Sequence, residues 1–144
     1  MEISAITSLL HNFFHIKNLG GLTYFLGIEV ARNAIGIHLS QCKYTLDLLK
    51  DTSMLGCAPT PTPMLHTVKL SATKGTPLGD VESTAYRRLI GRLIYMTNTQ
   101  PAISFLVNPL SQFVSHPTSE HHQAAIRILR YLKQTLGKSI FLHR

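Results

Sequence analysis

Residues 86–101 have the pattern that most restricts how this chain can fold. Their apolar residues recur at the spacing of one helix face, at Leu89, Ile90, Leu93, Ile94 and Met96. Arg88 and Arg92 share another face, with Arg87 beside them. Gly91 lies in the middle, where glycine costs about 1 kcal/mol relative to alanine. We predict a helix that packs through its apolar face and offers a cationic face with bare backbone to a polyanion.

The charge of the chain is concentrated in the part that begins with this helix. The 144 residues carry a net charge of +7. Residues 1–85 contain six basic and six acidic residues, whereas residues 86–144 contain eight basic residues and only Glu120 as an acid. This excess makes nucleic acid or another anionic surface the leading class of partner. The hydrophobic content of 44% is typical of a globular domain.

The first part of the chain is predicted to form a helix, a β-hairpin and a second helix. Residues 1–14 have the spacing of an amphipathic helix, which we expect to pack into the core. Residues 22–30 are predicted to be a strand that pairs with 35–39 across a turn at 32–34, with Gly36 near the bend. Ser40 is a plausible N-cap for a helix through residue 55, which Gly56 ends.

The remainder is predicted to be a linker followed by helices. Residues 57–81 contain four prolines and little apolar periodicity, which is typical of a loop or semi-extended linker. Helices are predicted over 82–99, 102–115 and 118–136, and Pro109 should kink or break the second. Thr118 or Ser119 can cap the third, Gly137 ends it, and 139–143 is a candidate strand. The predicted fold class is therefore α+β, in units 1–56, 57–81 and 82–144.

The composition also predicts the cellular setting. Cys42 and Cys57 are isolated in the sequence, so we expect free thiols in a reducing compartment. No apolar run approaches the roughly 18 residues of a membrane span, and the N-terminus does not resemble a signal peptide. We expect a soluble intracellular protein with no membrane partner, and leave cytoplasm or nucleus open.

The carboxylates do not form a convincing catalytic group. Metal-dependent phosphoryl transfer needs two or three that converge, and the chain has Glu2, Glu29, Asp47, Asp51, Asp80, Glu82 and Glu120. Asp47 and Asp51 share a helix face that we interpret as exposed. Asp80 and Glu82 precede a helix, where negative charge is favourable.

Histidine and nucleophile motifs do not indicate an enzyme either. His116, His121 and His122 cluster near a helix start without the ligand pattern of a zinc site, so we interpret them as solvated or helix-end residues. Nucleophile-elbow, P-loop and dinucleotide-binding motifs are missing from the sequence. We therefore predict no catalytic residue and no metal ligand, and do not expect a self-sufficient enzyme.

A second cationic helix face lies near the C-terminus. Arg127, Arg130 and Lys133 recur every three residues, with Tyr131 among them. Such cations with an interleaved aromatic can follow phosphates, although a solvated cationic face would have the same pattern. Two basic helices in one half of the chain favour nucleic acid.

Several ordered blocks resemble the reverse transcriptase of copia-type retrotransposons. They are Ile16-Lys17-Asn18-Leu19-Gly20, Tyr24-Phe25-Leu26-Gly27-Ile28-Glu29-Val30, Leu39-Ser40-Gln41 with Lys43-Tyr44, Thr62-Pro63-Met64, Tyr86-Arg87-Arg88-Leu89-Ile90-Gly91-Arg92-Leu93-Ile94-Tyr95, Ser111-Gln112-Phe113 and Arg127-Ile128-Leu129-Arg130-Tyr131-Leu132-Lys133. They cover almost the whole chain, which makes the resemblance highly specific.

The resemblance implies a place for each unit and a role for several residues. Residues 1–56 would end the palm and 82–144 would form a thumb and connection, after a catalytic Tyr-Val-Asp-Asp segment that the sequence does not contain. The helix over 86–101 would lie along a template–primer duplex, with Gly91 permitting close approach and Arg88 and Arg92 contacting phosphates. The hairpin residues Tyr24, Phe25, Leu26 and Gly27 would resemble a primer grip. Mg²⁺ would be needed only by the intact polymerase, so no cofactor is expected in this fragment.

Two departures from the family pattern leave three hypotheses open. Asn18 stands where the family usually has aspartate, and Gln100-Pro101-Ala102-Ile103 lacks the arginine and aspartate of its counterpart. The first hypothesis is an inactive polymerase fragment that binds an RNA–DNA or DNA duplex. The others are a non-functional remnant and a domesticated module that binds proteins, with the rest of a Pol polyprotein as one partner.

Overall fold

A computed structural model describes residues 3–64 and 69–143. Residues 1–2 of the predicted first helix, residues 65–68 of the predicted linker and the C-terminal residue 144 lie outside the described residues. In chain order the elements are α1 (Ile3–Phe13), β1 (Tyr24–Phe25), β2 (Ile28–Arg32), β3 (Gly36–Ser40), α2 (Cys42–Asp51), α3 (Asp80–Met96), a 3₁₀ turn (Pro101–Ile103), α4 (Ser104–Ser111), α5 (Ser119–Gln134) and β4 (Ser139–His143). The predicted α+β class is confirmed.

The strands form one antiparallel sheet in the order β1-β2-β3-β4. The prediction of a single strand over 22–30 is wrong, because the chain reverses between β1 and β2 and pairs Phe25 with Ile28. Leu26 and Gly27 have φ of 50° and 85°, the left-handed pair required by a type I′ hairpin turn. The predicted C-terminal strand is confirmed, and it pairs with β3 in a register that joins Gly36 to His143.

The start and end predicted for α2 are wrong. Ser40 is the last residue of β3, and its hydroxyl donates to Glu29 Oε2 (3.1 Å) instead of capping a helix. The helix ends at Asp51, before Gly56 is reached. Ser53 takes a φ of 58°, and the amides of Ser53 and Met54 donate to the carbonyls of Lys50 and Leu49. This is the Schellman arrangement, which closes a helix at a left-handed residue.

The predicted C-terminal helices are present with shifted bounds. Asp80 and Glu82 lie in the first turn of α3, as predicted, and Glu82 Oε2 accepts from the Gly79 amide (3.2 Å). Pro109 does not break α4, which continues to Ser111. Thr118 is the N-cap of α5, as predicted. The helix ends at Gln134, and Gly137 follows with a φ of 86°.

The hydrophobic core lies between α2, α3, α4 and α5. Leu48 and Leu49 of α2 pack with α3, α4 and α5 residues that include Leu93, Val107 and Leu129. The expectation that the first helix packs into the core is wrong for its described part, because α1 buries no residue. Its apolar side chains have no partner face among the described residues. The division into units at 1–56, 57–81 and 82–144 stays a prediction.

Two buried polar side chains connect the core to the chain around it. The hydroxyl of Tyr86, which is fully buried, donates to the Leu110 carbonyl (2.9 Å), and burial raises the pKa of Tyr86. His121 is also fully buried and stacks on Phe113, with ring centroids 4.0 Å apart. Its Nδ1 accepts from the Thr118 amide (3.0 Å), and Nε2, which then carries the proton, donates to the Ser71 carbonyl (3.1 Å). Neutral His121 therefore ties the loop around residue 71 to the start of α5.

We expect stability to fall in mild acid because of His121. Burial lowers its pKa from the ordinary value of 6.5, against an opposing effect of the Ser71 hydrogen bond. As the pH falls below about 6.5, the unfolded chain binds a proton that the folded chain does not, so the free energy of unfolding decreases until the lowered pKa is reached. Urea unfolding at a series of pH values measures this. His121→Gln should flatten the dependence, whereas His116→Gln, at an exposed residue, should preserve it. An unchanged slope in His121→Gln would contradict the assignment.

Candidate nucleic-acid interface

The turn between β1 and β2 packs against α2 and α3. The hydroxyl of Tyr95, near the end of α3, donates to the Leu26 carbonyl. A Cβ added at Gly27 would lie 3.1 Å from the ring of Tyr44, and the rings of Tyr44 and Tyr95 meet edge to face at 5.1 Å. The structure thus places the predicted primer-grip-like residues beside the predicted thumb-like helix. We define the turn–helix surface as residues 24–27 together with Arg88, Gly91 and Arg92 of α3.

Arg92 of this surface and the neighbouring Lys43 already have protein partners. Arg92 forms an ion pair with Asp51 (2.7 Å) and lies over the Tyr44 ring at 5.3 Å. Burial lowers the pKa of Arg92, but contacts with Asp51 and Tyr44 outweigh it and raise the pKa overall. Lys43 Nζ lies 5.7 Å from the centre of the Tyr24 ring. Asp51 therefore offsets part of the positive charge next to the turn.

Arg88 and Gly91 are the most available parts of the predicted duplex-binding helix. Both are exposed, and Arg88 makes no side-chain hydrogen bond or ion pair with residues 3–64 or 69–143. A Cβ added at Gly91 would meet no atom within 4 Å, so a ligand can reach this backbone. Arg87 is directed elsewhere, since its Nε donates to the Val114 carbonyl (2.9 Å).

The cationic side chains of α5 donate hydrogen bonds to the segment 55–62. Lys133 donates to the carbonyls of Leu55 and Cys57, the second at 2.7 Å. Arg130 Nε donates to the Ala58 carbonyl (2.7 Å), and Arg127 Nη2 donates to the Thr62 hydroxyl (2.8 Å). These three half-buried side chains bind the predicted linker to the helix. A phosphate would have to compete with these acceptors or use the remaining donors.

Tyr131, predicted as the interleaved aromatic, lies in the core. It is only 9% exposed, and Lys138 Nζ lies 5.8 Å from the centre of its ring. Within the turn–helix surface, Tyr24 and Phe25 are 49% and 55% exposed, so a ligand can reach their rings. The structure therefore places exposed aromatic rings next to the turn, whereas Tyr131 of α5 is buried.

Two acidic side chains of the described residues are already bonded to protein groups. Within residues 3–64 and 69–143, no three His, Cys, Asp or Glu side chains come together as metal ligands. Glu29 accepts from Ser40 and from the Lys43 amide (2.9 Å), while Asp51 binds Arg92. Cys42 and Cys57 are half-buried free thiols. None of the helices in the described ranges is long and apolar enough to span a membrane.

Tyr44 and Tyr95 support this surface, although the sequence pattern does not predict a role for either of them. They are 51 positions apart in the chain, and their contact forms only when α2 and α3 pack together. A local pattern does not reveal such a pair.

The chain is similar to reverse transcriptases and Pol polyproteins of retrotransposons. Residues 1–66 match the family model described as "Reverse transcriptase (RNA-dependent DNA polymerase)". The resemblance drawn from the ordered sequence blocks is thereby confirmed.

Retrotransposon polyproteins from a plant are among its relatives. The "Retrovirus-related Pol polyprotein from transposon RE1" of Arabidopsis thaliana is 48% identical over 95% of this chain and 10% of its own length. The corresponding polyprotein from transposon RE2 is 47% identical over 91% of the chain and 9% of its own length. An uncharacterized mitochondrial protein of the same plant is 35% identical over 94% of the chain and 55% of its own length. The chain thus spans about a tenth of the two polyproteins, and no solved structure matches it.

Proposed function

We propose that this chain binds a template–primer duplex, RNA–DNA or DNA, through the turn–helix surface. The observation that carries the proposal is the contact of Tyr95 with Leu26, which unites two elements that the sequence assigned separately to duplex binding. We further propose that the chain acts inside the cell, in the cytoplasm or the nucleus, where its thiols stay reduced.

The surface has the components that duplex binding requires. Arg88 supplies an unengaged cation for a backbone phosphate, and Arg92 a second that is shared with Asp51. The bare backbone at Gly91 allows a groove to approach closely. Tyr24 and Phe25 offer exposed rings on which a terminal base can stack.

Polymerisation is not part of the proposal for this chain alone. Its described residues bring no three potential metal-ligating side chains together, and Asp51 is bound to Arg92. We propose that the chain contributes binding of the template–primer duplex and that the metal-dependent chemistry needs residues of an intact polymerase. Incorporation of nucleotides by the purified chain would contradict this.

Reversing the charge of Arg88 should weaken duplex binding. Because a phosphate contact becomes a repulsion, Arg88→Glu is expected to raise the Kd for a short RNA–DNA hybrid by about tenfold at low salt, and to reduce the salt slope by about one unit. Fluorescence anisotropy over a salt series measures both. Lys17→Glu is the matched control, since Lys17 is exposed outside the turn–helix surface. An equal loss of affinity in Arg88→Glu and Lys17→Glu would indicate non-specific electrostatic attraction between chain and duplex, and would contradict a site at Arg88.

Gly91→Ala in the same experiment separates binding from folding. The added Cβ has room in the free chain, and alanine should stabilise the helix by about 1 kcal/mol. The same Cβ would obstruct a duplex that lies against the backbone. A variant that melts higher and binds more weakly supports the proposal, whereas unchanged binding would exclude close approach at Gly91.

A protein partner is the second candidate function, and α1 favours it. The apolar residues of α1 are exposed, with Ile3 at 81% and Phe13 at 74%. Another segment of a Pol polyprotein is the partner we propose for this face. A stoichiometric protein partner in purified samples would support it, and a clean monomer would count against it.

A further inference from the structure

A cationic pocket lies between α5 and the described residues 63–64 and 69–74. Its volume is about 550 Å³, within the usual range for small-ligand sites. The described residues that line it include Met64, Lys69, Lys74, Glu120, Arg127 and Arg130. The pocket is distinct from the turn–helix surface, with which it shares no residue.

The charges that line the pocket are not balanced within the described chain. Four of its described lining residues are cationic, and Glu120 is the one acid among them. None of these four cations forms an ion pair with a described carboxylate within 4.0 Å. The ion pair found among the described residues joins Arg92 to Asp51, outside the pocket. Placing four like charges around one space costs free energy, which an anion would recover.

The guanidinium groups retain donors for such an anion. Arg127 uses Nη2 on Thr62, and Arg130 uses Nε on Ala58. Each guanidinium has five N–H donors in all. The buried Nε of Arg127 has no hydrogen-bond partner among the described residues, so this side chain is incompletely satisfied as it stands.

The wall that carries Lys69 and Lys74 is held against α5. The Ser71 carbonyl accepts from His121 (3.1 Å), and the Thr76 amide donates to the Ser119 hydroxyl (3.1 Å). The Ser119 amide donates back to the Thr76 carbonyl (2.8 Å). These contacts place Lys74 in a segment that is bonded on both sides, so the pocket is built by tertiary contacts.

We propose that this pocket binds a phosphate group through Lys69, Lys74, Arg127 and Arg130. The group can belong to a nucleic-acid backbone or to a free polyphosphate such as that of a nucleotide. The proposal does not depend on duplex binding at the turn–helix surface.

Calorimetric titration with tripolyphosphate at low salt tests the pocket. We expect saturable binding at one site, weakened about tenfold in Lys69→Ala/Lys74→Ala and by less than about twofold in the charge-matched control Lys17→Ala/Lys50→Ala. The two lysines of each pair are exposed, so folding should be preserved. No saturable binding, or equal weakening in both double variants, would overturn the proposal.

The same variants distinguish the source of the phosphate. Weaker binding of both tripolyphosphate and an RNA–DNA hybrid in Lys69→Ala/Lys74→Ala would indicate a backbone phosphate. Loss of tripolyphosphate binding alone would indicate a free polyphosphate, and both results support the pocket. Arg88→Glu should leave tripolyphosphate binding unchanged, so failure of the turn–helix proposal would be seen separately.

Discussion

Replacing Arg130 and Lys133 together by alanine is expected to lower the free energy of unfolding by about 3 kcal/mol, since hydrogen bonds from charged groups contribute about 1.5–3 kcal/mol each and these side chains are partly solvated. The variant removes donors to the carbonyls of Leu55, Cys57 and Ala58. Alanine favours the helix, so loss of α5 itself is not the cause. Urea unfolding measures the change.

Arg88→Ala/Lys50→Ala is the control for that variant. It removes the same charge from exposed positions and should change stability by less than about 0.5 kcal/mol. If the two double variants have the same unfolding midpoint, the α5 cations do not hold the segment 55–62. They would then be available to phosphates, as the sequence pattern by itself allowed.

Gly36→Ala is expected to destabilise the sheet by about 3 kcal/mol, near the upper end of the usual cost of overpacking. An added Cβ would lie 2.2 Å from the Leu142 carbonyl oxygen and 2.8 Å from the Phe141 ring. The ring can turn away, but the carbonyl belongs to β4, so relief requires β3 and β4 to separate at this end. Unfolding midpoints measure the loss, and amide exchange in β4 should accelerate.

Gly56→Ala is the matched substitution. A Cβ there would meet no atom within 4 Å, so the change should be neutral or slightly stabilising. Equal midpoints for Gly36→Ala and Gly56→Ala would show that β4 does not pack against β3 at Gly36.

Helices were predicted well where one apolar face repeats, as in α3 and α5. Helix ends were predicted less well because backbone hydrogen bonds determine them. The turn that ends α2 has Ser53 in the left-handed conformation, and serine in a sequence does not indicate that conformation. The turn at Leu26 and Gly27 was missed for a similar reason. Leucine rarely takes a positive φ, and here the carbonyl of Leu26 accepts from Tyr95, far along the chain.

The sequence alone determined the α+β class, the approximate positions of the helices, the resemblance to copia-type reverse transcriptases and the concentration of positive charge after residue 85. These follow from periodicity, ordered motifs and composition, which are local properties. Only the tertiary structure decided which cations are available. Arg88 faces outward, whereas Arg130 and Lys133 bind residues 55–58. A helix pattern specifies which side chains share a face, but the segment that packs on that face comes from elsewhere in the chain.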